Sequence, residues 1–102
     1  MSLTGKQKRH LRGLAHHIDP VVMVGVGGVS DAVVKKTVEE LGHHELIKVK
    51  VSGDAPDGTK QTGADLAAKA GAHHVQTIGR ICVLYKAREK DPEIVLPKAP
   101  GT

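Results

Sequence analysis

Residues 20–51 read PVVMVGVGGVSDAVVKKTVEELGHHELIKVKV, and this stretch contains three secondary-structure patterns in succession. The apolar run Val21–Val24 predicts a short buried strand. Ser30 predicts the N-cap of a helix, and Gly42 its stop. The inner face of that helix is predicted to be Val34, Thr37, Val38 and Leu41. Leu46–Val51 alternates apolar and lysine side chains, which is typical of a strand with one face in water.

The segments on either side predict two more helices. Residues 4–18 have the apolar spacing of one buried helical face, and Asp19-Pro20 is expected to end that helix. Its buried face is predicted to be Leu11, Leu14, Ala15 and Ile18. Residues 60–70 predict a third helix, although Gly63 weakens the pattern. The small-residue face expected to lie against the sheet is Ala64, Ala67, Ala68 and Gly71.

Two further strands are predicted at residues 75–78 and 81–86. Gly79-Arg80 joins them, and a two-residue connection that begins with glycine is typical of a type II′ hairpin. From Ala87 onward the chain is expected to be irregular, with at most a short strand at residues 93–96.

These patterns together predict an α/β domain with the element order α-β-α-β-α-β-β. We expect a compact two-layer domain of one four-stranded mixed β-sheet and three helices, with right-handed crossovers between any parallel neighbours. The pattern does not fix the strand order. A chain of 102 residues suits one domain, predicted at 1–97, with a flexible tail at 98–102.

The composition excludes several classes of protein. The chain has no Phe or Trp, and Tyr85 is its only aromatic residue, which argues against RNA modules that stack bases on exposed rings. Cys82 lies in an apolar run and is expected to be a buried, inert thiol. No apolar stretch is long enough to span a membrane, and the basic N-terminus lacks a hydrophobic signal core, so a cytoplasmic location is expected.

The positive charge of the chain is concentrated at its N-terminus. The formal net charge is +4, and residues 1–18 contain no acid, while acids and bases balance in the remainder. The basic residues of this segment are Lys6, Lys8, Arg9 and Arg12. Such a local excess indicates a polyanionic partner, with solubility as the alternative. Lys48, Lys50 and Arg80 would extend the basic surface if the strand order brings them together; otherwise they protect sheet edges.

The loop Gly25–Gly28 joins a strand to a helix N-terminus, where backbone N–H groups and the helix dipole favour a phosphate. A dinucleotide-binding turn is a poor match, because Ser30 stands where its third glycine is needed and Glu45 precedes the second strand instead of ending it. A P-loop is excluded, since no Gly-Lys-Ser/Thr follows. A tight turn without a ligand remains the alternative.

Six of the seven histidines occur as adjacent pairs, which are His16-His17, His43-His44 and His73-His74. Neighbouring residues diverge on both helices and strands, so such a pair is not preset to chelate a metal. No metal or cofactor is therefore expected. No nucleophile, base or paired-carboxylate arrangement follows from the spacing, and the protein is not expected to be an enzyme.

Several segments together resemble one known family. They are KQKRHLRGLAH at 6–16, PVV at 20–22, the Gly25-x-x-Gly28 loop, HHELIKVK at 43–50 and VQxIGRxxVLY at 75–85. In this order they resemble the YhbY family of bacterial CRM-domain proteins, over about residues 4–97 of the chain. The resemblance implies a fold similar to the C-terminal domain of translation initiation factor three. It also implies a cytoplasmic RNA-binding assembly factor associated with precursors of the large (50S) ribosomal subunit. Relatives in plant organelles carry the domain in intron-splicing factors.

The resemblance implies roles for particular residues. The loop is similar to the GxxG loop of KH domains, and the implied RNA-backbone contact falls on Gly25, Val26, Gly27 and Gly28. The family's basic surface corresponds to Lys6, Lys8, Arg9 and Arg12. Val26 departs from family loops that carry a polar or basic residue there, so more of the affinity is expected from the first helix. We expect a monomer that binds RNA and no membrane. The alternative is a module that docks on a ribosomal protein or an assembly enzyme.

Overall fold

The computed structural model describes residues 3–98, and its elements follow the predicted order. The helices are α1 (Gly5–Ala15), α2 (Asp31–His44) and α3 (Thr59–Ala70). The strands are β1 (Pro20–Val24), β2 (Leu46–Val51), β3 (His73–Ile78) and β4 (Ile81–Tyr85). The α/β class, the element order and the four-stranded mixed sheet are confirmed. Residues 1–2 of the predicted domain and 99–102 of the predicted tail lie outside the described residues.

The strand order is β1-β2-β4-β3. β1 and β2 are parallel and are connected through α2, whereas β4 is antiparallel to both β2 and β3. The C-termini of β1, β2 and β3 and the N-terminus of β4 therefore lie at one end of the sheet, which we call the loop end. It carries the loop Gly25–Gly28, residues 52–58 and the hairpin turn Gly79-Arg80.

Helices cover both faces of the sheet, so the structure has three layers where the sequence predicted two. The larger core lies under α2 and α3, and its buried members are Val22, Val24, Leu41, Ile47, Val49, Val51, Leu66, Ala67, Ala70, Cys82 and Leu84. The smaller core lies under α1 on the opposite face, and its buried members are Leu11, Ala15, Leu46, Val75, Val83 and Tyr85. The two-layer expectation failed because periodicity shows that a helix has an apolar side but not which sheet face that side covers.

The C-terminal ends of α1 and α2 differ from the predicted ones. α1 ends at Ala15, ahead of Asp19-Pro20, and begins with a capping box between Thr4 and Gln7. α2 has the predicted Ser30 cap but runs past Gly42 to His44, and it stops where Glu45 adopts a φ of 61°. The predicted inner faces were too wide, since Leu14 of α1 and Val38 of α2 are exposed.

The face of α3 that packs on the sheet is rotated from the predicted one. Ala64, Ala68 and Gly71 are exposed. The buried residues of α3 are Thr62, Gly63, Leu66, Ala67 and Ala70. A Cβ added to Gly63 would lie 2.5 Å from Cys82 Sγ and 3.0 Å from His74 Nε2. Gly63 therefore permits the close approach of α3 to β4, which is why a poor helix former occupies the middle of this helix.

Gly63→Val is expected to lower the free energy of unfolding by about 3 kcal/mol, because the added methyl groups must displace β4 or α3 in a packed core. Urea-induced unfolding measures the change. Ala64→Val is the matched control, since it adds a similar volume at the adjacent exposed position and should cost less than about 1 kcal/mol. Equal stability of the two variants would contradict the close packing of α3 on β4.

The structure has the predicted hairpin turn but not the predicted C-terminal strand. Gly79 has a φ of 57° and Arg80 does not have a positive φ, as a type II′ turn requires. The short strand proposed at residues 93–96 does not form, and residues 86–98 are irregular. We call residues 86–98 the C-terminal segment.

A buried carboxylate holds the C-terminal segment against the fold. Glu45 is 1% exposed, and its carboxylate accepts the backbone N–H groups of Arg88 at 2.8 Å, Glu93 at 2.7 Å and Ile94 at 3.0 Å. Its backbone carbonyl accepts the N–H of Lys86 at 2.8 Å. Burial alone would raise the pKa of this carboxyl group. The three amide donors and the charge of Arg88 outweigh burial and lower the pKa below its ordinary value.

The C-terminal segment in turn packs against α1. Ile94 and Leu96 contact the smaller core, and Gln7 Nε2 donates a hydrogen bond of 3.0 Å to the Pro97 carbonyl. The C-terminal segment thus contacts both Glu45 and α1. No helix within residues 3–98 is both long and apolar enough to cross a lipid bilayer.

Candidate nucleic-acid interface

The loop Gly25–Gly28 forms a tight turn in which only the middle residues face solvent. The Gly28 N–H donates to the Gly25 carbonyl at 2.9 Å, and Val26 is 79% exposed. Gly28 is buried with a φ of 66°, and a Cβ there would lie 2.9 Å from Cγ of Pro56. A glycine is thus needed at position 28 for the backbone conformation of the turn and for the close contact with Pro56. Its N–H group is already hydrogen-bonded to Gly25.

Few N–H groups of this loop remain for a ligand. Within the described residues, the amides of Val26 and Gly27 donate to no protein acceptor. The helix N-terminus behind them is already compensated, because the Ser30 side chain accepts from the Val33 N–H at 3.2 Å and Asp31 lies in the first turn. The geometry therefore confines possible phosphate contacts to the tip of the loop.

Arg80 lies at the loop end on the β3–β4 turn. Its carbonyl accepts the Val51 N–H at 2.8 Å, which fixes the turn to the end of β2. Its guanidinium packs over Gly53, where any side chain would collide with it. Residues 52–58 thus touch both the turn that carries Arg80 and, through Pro56, the glycine loop.

The strand register places one row of side chains next to the loop end. Met23 pairs with Lys50, Lys50 with Ile81, and Ile81 with Ile78. The strand neighbours of Met23, Lys50 and Ile81 belong to the core under α2 and α3, and Ile78 pairs with Ile81. These four side chains therefore lie on the face that carries α1. The side chains of Met23 and Ile78 are 65% and 58% exposed. We call Met23, Lys50, Ile81 and Ile78 the open row.

α1 borders the open row on the side away from the loop end. A groove of about 140 Å³ lies between one side of the helix and the strands. Its lining residues are Arg12, Ala15, His16, Lys48, Gln76, Ile78, Ile81 and Val83. The predicted residues Arg12, Lys48 and Lys50 therefore belong to one surface, with Lys48 half-buried in the groove and Lys50 exposed in the row.

The other basic residues of α1 are placed less uniformly. Lys8 is exposed on α1. Burial lowers the pKa of both His73 and His74, and the charge of Lys8 lowers it further, so both imidazoles are mainly neutral at pH 7. Lys6 and Arg9 are exposed, and the helical period turns them away from the buried side of α1. They extend the basic surface outward but do not line the groove.

Comparison with known proteins agrees with this fold. The model of the CRS1 / YhbY (CRM) domain family matches residues 3–86. The chain belongs to the CRM-domain family. A "Probable RNA-binding protein YqeI" of Bacillus subtilis is 43% identical over 95 residues, with 93% of this chain and 99% of that protein covered. An "RNA-binding protein" of Haemophilus influenzae is 47% identical over 98 residues, with 95% and 97% covered.

A solved structure shares the architecture of this CRM domain. The solution structure of the hypothetical protein SAV1595 from Staphylococcus aureus, for which RNA binding has been suggested, has a TM-score of 0.80 and 41% sequence identity. The alignment covers 94% of this chain and all of that one.

Metal and thiol chemistry gain no support from the described part of this CRM domain. Among residues 3–98, no cluster of three or more His, Cys, Asp or Glu side chains could hold a metal ion. Cys82 is fully buried, as predicted, and burial raises the pKa of its thiol, so it remains protonated at pH 7.

Sequence patterns missed two features of the interface. No sequence pattern points to Pro56, although its ring lies against Gly28 of the glycine turn. Met23 and Ile78 were read as ordinary strand residues, although they are among the most exposed apolar side chains. The available signal was that Met23 alternates with Val22 and Val24, which places it on the opposite face of β1.

Proposed function

We propose that this protein binds RNA without catalysing a reaction, as an assembly factor on precursors of the large ribosomal subunit. The observation that carries the proposal is that the elements forming the α1 face supply cations and no carboxylate. α1 and all four strands contain no Asp or Glu, while Arg12, Lys48 and Lys50 share one face. The names of the relatives support RNA as the partner, and the resemblance to YhbY proteins supports the large-subunit precursor.

The mechanism that we propose is phosphate binding spread over two sites. Lysine and arginine side chains of the α1 face neutralise phosphates and release counterions. The amides of Val26 and Gly27 donate hydrogen bonds to one further phosphate at the loop end, where Arg80 also lies. Because Asp31 and the Ser30 cap already compensate the helix N-terminus, the cations on the α1 face should provide most of the affinity.

The direct test is crosslinking of the protein to RNA in cells, followed by sequencing of the attached fragments. The proposal predicts fragments of large-subunit ribosomal RNA and crosslinked peptides from α1, β2 or the glycine loop. Fragments from unrelated RNAs in proportion to their abundance would contradict the role in large-subunit assembly.

Gly27→Asp is expected to weaken RNA binding about tenfold, because it places a carboxylate at the tip of the loop where a phosphate would lie. Gly27 is exposed, and a Cβ there meets nothing within 4 Å, so the fold should be unaffected. Gly28→Asp is unsuitable, since Gly28 has a positive φ and contacts Pro56. Gly27→Asn, which has nearly the same shape without the charge, is the control. Fluorescence anisotropy with a ribosomal RNA fragment measures the affinity; equal affinities for the wild type and Gly27→Asp would exclude the loop from the site.

A second candidate is a module that docks on a ribosomal protein or assembly enzyme. The observation in its favour is an apolar groove of about 480 Å³ between the end of α1, the start of β1 and the C-terminal segment. Leu14, Ile18, Val21 and Ile94 are among its lining residues. Association with ribosomal particles that survives nuclease treatment, and that is lost in Leu14→Glu, would favour this function over RNA binding.

A further inference from the structure

The open row combines exposed apolar side chains with positive charge, which is unusual for a solvated sheet face. Met23 and Ile78 are 65% and 58% exposed at the two outer strands. Lys50 lies between Met23 and Ile81 in register, so a cation is flanked by apolar neighbours. Scattered exposed apolar residues need no explanation, but here they share one row with a cation and adjoin a groove.

We propose that the open row and its groove hold unpaired bases of a single-stranded RNA segment. This inference rests on the proposed function and specifies which form of RNA is bound. The occupant must offer apolar surface and negative charge together, because the row is apolar while the strands and α1 carry no carboxylate. A nucleotide offers both, since its base has apolar faces and its phosphate is an anion.

The groove has groups suited to one base. Arg12 on α1 supplies a planar guanidinium on which a base can stack, as arginine does in other RNA sites. Gln76 on β3 offers an amide that can both donate to and accept from a base edge. Lys48 also lines the groove and carries a cation that can bind a phosphate.

The same geometry disfavours a duplex. The base faces of an A-form helix are stacked in its interior, and its surface presents phosphates and ribose hydroxyls. A duplex could reach Lys50 and Arg80 but would leave Met23, Ile78 and the groove unfilled. The outer strands of the row are about 14 Å apart, which is room for a few splayed nucleotides between the groove and the loop end.

The test compares a single-stranded ribosomal RNA oligonucleotide with the same sequence in a duplex. Met23→Ser with Ile78→Ser should weaken single-strand binding about tenfold and change duplex binding less than twofold, because base contacts are lost while the charge is kept. The salt dependence of single-strand binding should keep its slope. Ile78→Thr alone, which stays β-branched, should give a smaller loss in the same direction and guards against a folding defect in the double variant. Val38→Ser is the control, since Val38 is exposed on α2 on the other side of the sheet.

The outcomes separate this inference from the proposed function. Equal losses on single-stranded and duplex RNA, or no loss on either, would overturn base binding by the open row while leaving RNA binding intact. Unchanged affinity for both RNAs together with lost association with nuclease-treated particles would assign the row to a protein partner. Absence of RNA binding by the wild-type protein would instead refute the proposed function.

Discussion

Glu45→Ala should lower the free energy of unfolding by about 4 kcal/mol, because it leaves three backbone N–H groups without their charged acceptor. The C-terminal segment should detach from the fold, and the amides of Arg88, Glu93 and Ile94 should lose protection from hydrogen exchange. Urea-induced unfolding and hydrogen exchange measure the two effects. Protection of these amides in a stable Glu45→Ala protein would contradict the role of this carboxylate.

The same carboxylate predicts how stability depends on pH. The pKa of Glu45 is lowered in the folded protein, so the folded state binds the proton more weakly than the unfolded state does. The stabilisation is complete above the unfolded pKa of about 4.3 and is lost as the pH falls through the folded pKa. Glu45→Gln should be less stable at pH 7 and should show a flatter loss of stability as the pH falls below the unfolded pKa.

Glu40→Gln is the matched control for both measurements. Glu40 also has a pKa lowered by its hydrogen bond to Lys36, but the pair lies on the surface of α2. Surface pairs contribute little to stability because solvent screens them. If Glu40→Gln flattened the acid transition as much as Glu45→Gln, the pH dependence would reflect the total charge of the protein and not the buried carboxylate.

Sequence patterns predicted the elements well because each depends on residues close together in the chain. The alternation in Leu46–Val51 predicts a strand, and the glycine at position 79 predicts a tight turn. Both predictions are confirmed. The three-layer arrangement, the strand order and the role of Glu45 depend on contacts between distant residues. Glu45 lies 43 to 49 residues from the amides it accepts, so no local pattern could reveal it.

The candidate site was likewise predictable only where it depends on residues close together in the chain. The basic residues and the glycine loop were identifiable from composition and spacing, but their relative placement required the strand order. The register that aligns Met23, Lys50, Ile81 and Ile78 is a property of the folded sheet. The sequence also does not distinguish the roles of the two adjacent glycines in the loop. Gly28 is needed for backbone conformation and packing, while Gly27 leaves open space.

The cations of the α1 face should dominate RNA affinity, and their removal is the strongest test of the proposed function. Lys8, Lys48 and Lys50 changed together to glutamine should weaken binding to single-stranded RNA about a hundredfold at 0.1 M salt, and should reduce the slope of log K against log salt by about 2. RNA binding releases fewer counterions when fewer lysines neutralise phosphates. Affinity and slope should therefore fall together. Anisotropy titrations over a series of salt concentrations measure both quantities.

The matched control removes the same charge from the other side of the sheet. Lys35, Lys60 and Lys69 are exposed on α2 and α3, and their change to glutamine alters the net charge by the same amount. If RNA lies on the α1 face, this variant should keep most of the affinity and nearly the full salt slope, because long-range attraction is screened beyond about 10 Å at 0.1 M salt. If the two triple variants lost affinity and salt slope equally, RNA binding would depend on net charge alone. The surface between α1 and the loop end would then not be the binding site.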